Sequence, residues 1–147
     1  MTNAGRGEDL CRFVRAQVEI YPRALAELQA GAKRSHWMWF VFPQIAGLGR
    51  SPMARYYAIR DRHEARAYLG HELLGSRLRE CAVAVMAHAG ARTAEAILGG
   101  IDAVKLRSAM TLFETAGGEE IFGAVIDAFY GGSRDPETLR LLDAVAR

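Results

Sequence analysis

The sequence predicts an all-α protein, a single multihelical domain of about eight or nine helices. Three observations carry the prediction. Apolar residues recur three or four apart along most of the chain, as in Leu74, Leu78, Cys81, Ala82, Val85 and Met86. Caps and breakers separate these stripes, among them Ser51-Pro52, Thr93, Gly99, Gly117-Gly118, Gly131-Gly132 and Asp135-Pro136. No segment shows the convincing apolar–polar alternation of a half-buried strand.

In chain order, residues 1–8 are expected to be frayed, and the domain to run over residues 9–147. A first helix carries Leu10, Phe13, Val14, Gln17 and Val18, with Asp9 as its cap. Pro22 suits the first position of a second helix, which carries Leu25 and Leu28 and ends at Gly31. The run KRSHWMWFVFPQ, Lys33 to Gln44, is too short and too apolar for a surface helix. WMWFVF has the composition of a buried strand but no partner of similar character. Pro43 and the glycines of PQIAGLG stop any helix there.

Ser51-Pro52 opens a helix with Met53, Tyr56, Tyr57 and Arg60 on one side. Asp61 starts another, carrying Ala65, Tyr68 and Leu69. The long stripe Leu74 to Met86 follows, closed by Gly90. Thr93 caps a short helix that Gly99 ends. Asp102 is the expected cap of the next helix, which buries Leu106, Met110 and Phe113 and turns Ser108 and Thr111 away from Met110. Ile121, Phe122, Val125, Ile126 and Phe129 mark another helix. Asp135-Pro136 opens the last, with Leu139, Leu142 and Val145. Short connections place neighbouring helices in direct contact.

Composition excludes several classes. The chain has 147 residues and a formal charge of +2, too little to argue for nucleic acid without a clustered basic surface. Cys11 and Cys81 lack CxxC spacing and read as free thiols in a reducing compartment. No apolar run approaches the ~20 residues of a membrane span. MTNAGRGEDL lacks a signal peptide's apolar core, so a cytoplasmic protein is expected. There is no P-loop, HExxH or GxSxG, and Gly47-Leu48-Gly49 is only a fragment of a dinucleotide fingerprint. No two histidines share ligand spacing. Neither metal nor cofactor is expected.

Eight residues are candidates for a site: Lys33, Arg34, His36, Trp39, Gln44, Arg60, Lys105 and Ser108. Cations with directed donors suit a phosphate or carboxylate, and an aromatic face can stack on a planar ring. His36 is the one candidate proton shuttle; it reads equally as a buried histidine with one hydrogen bond. Lys105 either snorkels from the margin of its apolar stripe or stands in a cavity with Ser108. Arg60 reads by default as a salt bridge at the core rim. Trp37 and Trp39, two apart, cannot share a helical face, which suggests one in the core and one lining a groove. Gln17 breaks an apolar stripe and needs a partner if buried. His63 and His71 read as solvated, His88 as a cation at a helix end. Cys81, on an apolar stripe, reads as inert.

The segments DLCRFVRAQ, KRSHWMWFVFPQIAGLG, YAIR, EARAYL and KLRSAMTLF, in this order, resemble the bacterial domain-of-unknown-function family 1810. The resemblance runs from about Asp9 to Leu142. It implies a small multihelical domain with an unusually short, buried central helix, and it lends no catalytic residues. Some members carry the label calpastatin, a disordered inhibitor, which this apolar, cap-rich chain does not resemble. Glu72 stands where the family usually has proline, and Ala109 where it usually has serine.

The leading functional expectation is binding of a small anionic ligand, phosphate- or carboxylate-bearing and nucleotide-like ones included. A non-catalytic protein-interaction module is the alternative, and nucleic-acid binding ranks third. The anion-ligand expectation, for a binding protein or an enzyme alike, is that His36, Arg60 and Lys105 converge in one concave pocket; finding them apart would count against it.

Overall fold

The structure, a computed structural model, describes residues 2–145, with side chains from Leu10 onward. The frayed start expected at residues 1–8 lies outside the described side chains. Nine helices and no strands are present among the described residues. α1 is Thr2–Ala30, and it corrects the expectation of two helices divided at Pro22. Pro22 and Val18 both lie on the solvent side of α1. Water can there satisfy the Val18 carbonyl that a proline ring leaves without its N–H donor. Asp9, inside this helix, is not a cap.

Gly31, at φ +73°, ends α1, and the chain turns into α2, Met38–Val41. This one-turn helix is the core's plug. Trp37, Met38, Val41 and Phe42 are almost wholly inaccessible. Four residues cannot hold a helix in water; burial does so here. α1 and α5 (Glu72–Met86) pack against α2.

α3, Pro52–Tyr56, begins on Ser51, whose hydroxyl accepts from Ala54 N at 3.1 Å. It buries none of its own residues. α4, Arg62–Gly70, begins on Asp61, which accepts from Glu64 N at 2.8 Å. His71, expected to be solvated, caps α5: its Nδ1 accepts from Leu73 N and Leu74 N at 3.2 Å. His88 lies past the end of α5, its Nε2 2.8 Å from the Leu28 carbonyl, and fastens that end to α1. α6, Ala94–Leu98, is capped by Thr93.

α7, Gly100–Gly117, starts two residues before its expected cap. Gly99, at φ +87°, makes the turn and its carbonyl accepts from Ala103 N at 2.9 Å. Asp102 is thereby freed for other partners. α7 packs against α4, α6, α8 (Glu120–Tyr130) and α9 (Pro136–Val145). It is therefore covered over most of its circumference. Ser108 and Thr111 are buried rather than turned outward. Their hydroxyls bond back to the Val104 and Arg107 carbonyls, so neither is an orphaned polar group.

α4 and α5 join the two halves of the molecule: α5 touches α1, α2 and α8, while α4 touches α5 and α7. Gln17 spans the same seam, as its place in an apolar stripe requires. It donates to the Phe40 carbonyl at 2.7 Å and the Tyr68 hydroxyl at 3.2 Å, and accepts from Arg77 at 3.3 Å. Among the described residues no helix is long and apolar enough to cross a membrane.

Candidate functional site

The run from Lys33 to Gln44 divides at Trp37. Its first part is a tight turn organised by Glu27 of α1. That carboxylate accepts from Arg34 N and Ser35 N, both at 3.0 Å, from Ser35 Oγ at 2.7 Å and from the Trp37 indole at 2.8 Å. Partial burial alone would raise the carboxyl's pKa; the four donors outweigh it and bring it down to about 2. Nothing in the sequence spacing marked Glu27, because its partners lie past the end of its own helix.

Within this turn the side chains part company. Arg34 and His36 are exposed. Lys33 turns inward, with Nζ 2.9 Å from Asp102 of α7, 2.6 Å from the Ser35 carbonyl and 5.0 Å from the Trp37 ring centre. Trp37 is core. Trp39 is half-buried and lies under Lys105, whose ammonium is 5.2 Å from its ring centre. Of the division expected of the two tryptophans, the core place of Trp37 is present; Trp39 is half-buried beneath Lys105 and is not among the residues that line the cleft past α2.

Past α2 the chain runs through Gln44 and Ile45, and a parallel bridge ties it to Ile59: Ile59 N donates to the Gln44 carbonyl and Ala46 N to the Ile59 carbonyl, both at 2.8 Å. Arg12 of α1 holds the returning strand of the loop, donating to the Tyr56 carbonyl at 2.7 Å and the Ala58 carbonyl at 2.8 Å. A cleft of about 410 Å³ opens between this loop, the first turns of α7 and the start of α9. Leu48, Ile101 and Val104 supply its apolar wall; Gln44, Lys105 and Asp135 supply its polar groups. Gly49 lines it too, with room for no more than its hydrogen: an added Cβ would sit 2.4 Å from Ala54 Cβ.

Five of the eight candidates therefore gather in or beside the cleft: Gln44, Lys105 and Ser108 line it, Trp39 stacks under Lys105, and Lys33 shares Asp102 with Lys105. His36, Arg34 and Arg60 do not line it. Arg60 is exposed, with Nη2 3.5 Å from the buried Glu64. The convergence of His36, Arg60 and Lys105 expected of an anion site is not found: Lys105 lines the cleft, while His36 and Arg60 are exposed and lie outside its lining. Ser108 spends its hydroxyl proton inside the protein, 3.1 Å from Asp135 Oδ2 and 3.3 Å from the Val104 carbonyl.

The electrostatics of the cleft turn on Asp102. Lys33 lies 2.9 Å from it and Lys105 3.5 Å. Two ammonium groups share one carboxylate, and Lys105 is the more loosely held. Asp135, which also lines the cleft, has Arg107 Nη1 4.0 Å from it, so three cations, Lys33, Lys105 and Arg107, face two carboxylates. Larger depressions occur on the outer face of α1, by Arg15 and Arg23 (about 580 Å³), and beside α5, by Tyr21, Arg77 and Glu80 (about 600 Å³). Neither collects any of the eight candidates. Cys81 touches the second of these regions through Tyr21 but is buried, and burial pushes its thiol up to about 12, which makes it inert. No group of three or more His, Cys, Asp or Glu side chains is placed to hold a metal among the described residues.

Residues 7–142 match the model of a protein family described as protein of unknown function (DUF1810). The chain belongs to this family. The chain is similar to a solved structure, the conserved hypothetical protein Rv1873 from Mycobacterium tuberculosis, at 49% identity, covering 92% of this chain and 96% of that one, with a TM-score of 0.89. No curated protein matches. The short buried helix implied by the resemblance to the family is α2. The cleft residues missed from sequence are Asp102 and Asp135, both read as caps, and the aliphatic wall. Ile101 and Val104 gave one signal: both are apolar and off the stripe of Leu106, Met110 and Phe113.

Proposed function

We propose that this chain binds a small organic anion in the cleft, its charged end at Lys105 and its apolar body along Leu48, Ile101 and Val104. The observation that carries the reading is the surplus cation beside an apolar wall. Lys33 and Lys105 share one carboxylate, and Ile101 and Val104, 78% and 63% exposed, have no cover from their own chain. The volume falls in the range of small-molecule sites, and Trp39 holds the Lys105 ammonium in place from below. His36, the one proton shuttle expected from the sequence, is not among the cleft's lining residues, so the reading is of binding and assigns no reaction. Two unpaired thiols, one of them exposed, suit the reducing cytoplasm as its setting.

A thermal-shift series of aliphatic carboxylates and phosphates on the native protein and on Lys105→Met tests it. A ligand at a hundredfold excess over its Kd stabilises by about 2.7 kcal/mol, a rise of roughly 8 °C for a chain of this size. Lys105→Met should abolish the rise while leaving the unliganded Tm within a few degrees. A series in which no anion shifts the native Tm sinks the reading. The exposed aliphatic pair would then point to a protein partner, which a stoichiometric pull-down lost on Ile101→Asp would identify.

A further inference from the structure

The cleft carries an acceptor as well as a cation. Asp135 lines it, and its two oxygens are unequal. Oδ2 accepts from Ser108 Oγ at 3.1 Å, Thr138 N at 3.2 Å and Thr138 Oγ1 at 2.5 Å. Oδ1 has only the Arg107 guanidinium, with Nη1 4.0 Å away and outside hydrogen-bond distance. Arg107 directs its other nitrogens to the Ser133 carbonyl and hydroxyl, both at 2.7 Å, and to the Arg134 carbonyl at 3.0 Å. Oδ1 is thus oriented by its own carboxylate's bonds and accepts no hydrogen bond from a described residue. Ser108, which fixes Asp135, is three residues beyond Lys105, a rise of about 4.5 Å along the helix. Lys105 and Asp135 line the same cleft.

That pairing restricts the ligand of the proposed function, on which this inference rests. A plain aliphatic acid seated at Lys105 would lay hydrocarbon against Asp135 Oδ1 and strip its water without replacing it, which is unfavourable for a carboxylate. We infer that the ligand is a branched aliphatic acid that also carries a hydrogen-bond donor, hydroxyl or ammonium, for Asp135. The acid meets Lys105, the donor meets Asp135 Oδ1, and the branched body lies on Leu48, Ile101 and Val104.

Asp135→Asn isolates the acceptor. Asparagine caps a helix as well as aspartate does. Its carbonyl takes the Oδ2 position, where three donors converge, so its NH₂ replaces Oδ1 and presents a donor to the cleft. Titration calorimetry would compare 4-methylpentanoate, 2-hydroxy-4-methylpentanoate and leucine on both proteins. On the native protein at least one donor-bearing acid should bind about tenfold tighter than the plain acid, the worth of a hydrogen bond to a charged group. On Asp135→Asn, with α9 intact by circular dichroism, that ratio should fall to about one. The two donor-bearing arms tell hydroxyl from ammonium. If the plain acid binds in a Lys105-dependent way and the donors add nothing, or if the ratio survives in Asp135→Asn, this inference is overturned and the anion reading stands. If no acid binds, this inference falls, and the anion reading falls with it when the phosphates of the thermal-shift series also leave the Tm unchanged.

Discussion

A single carboxylate, Glu27, sets the course of the chain from Arg34 to Trp37. Its four donors converge from backbone, hydroxyl and indole, and they hold its pKa at about 2 against an ordinary value of 4.5. A depressed carboxyl stabilises the folded state above its unfolded pKa and loses that contribution as pH falls through the folded value. Glu27→Gln keeps the shape and a carbonyl acceptor but gives up the charge, at about 1–2 kcal/mol near neutral pH. The stability gap between the native protein and Glu27→Gln, measured by urea titration, should close as pH falls from 4.5 to about 2. A gap that persists unchanged to the lower end would mean that the charge is not what the four donors recognise. At this scale the sequence was half legible. Lys33 and Gln44 stood out as polar ends of an apolar run, Trp39 by its spacing from Trp37, and Lys105 and Ser108 as polar residues beside the apolar side of their helix. Asp102 and Asp135 did not, because a residue that suits a cap by position announces nothing about what else its oxygens meet.

Helix ends were the most legible elements, since a cap is a local event between residues three apart. Ser51, Asp61 and Thr93 cap as their spacing predicts. Pro22 misled because proline's cost inside a helix depends on whether water reaches the freed carbonyl, which a sequence does not display. Close approach between helices was equally invisible. α5 crosses the end of α4 at Gly75, where an added Cβ would stand 2.1 Å from the Leu69 carbonyl oxygen; at Gly70, on α4 itself, it would meet nothing within 4 Å. Alanine gains up to ~1 kcal/mol over glycine in a helix. At Gly70 that gain should appear as a small rise in stability. At Gly75 the clash is with backbone, which cannot rotate aside as a side chain does, so it overrides the gain. Gly75→Ala should cost a net ~2–3 kcal/mol, of the order of an overpacked core. Denaturant melts of the two variants would therefore move in opposite directions; a shared direction would mean that α4 and α5 separate freely.

The cleft belongs to the whole molecule. Gln44 and Leu48 come from the loop after α2, Lys105 from α7 and Asp135 from the start of α9; no local pattern could have joined them. What holds these parts together runs through Gln17, which is 1% exposed and bonds α1 to Phe40 of α2, Tyr68 of α4 and Arg77 of α5. Tyr68 itself packs on Phe13 and on Phe113 of α7, at ring distances of 5.1 and 5.3 Å. Gln17→Leu keeps the volume and removes these polar partners, at about 2–3 kcal/mol for the groups left short, out of a total of ~5–15 kcal/mol for a domain. If the two halves fold as one unit, the urea midpoint should drop while the slope m stays constant, since m follows the surface exposed on unfolding. Near- and far-ultraviolet circular dichroism should then report one transition, with Trp37 and Trp39 on one side of the seam and most of the helix on the other. A smaller m, or two transitions that no longer coincide, would show that α1 and α2 can leave α7 folded behind them. In that case Trp39 would not stay beneath Lys105 when the halves part, and the cleft would depend on the seam as much as on its lining.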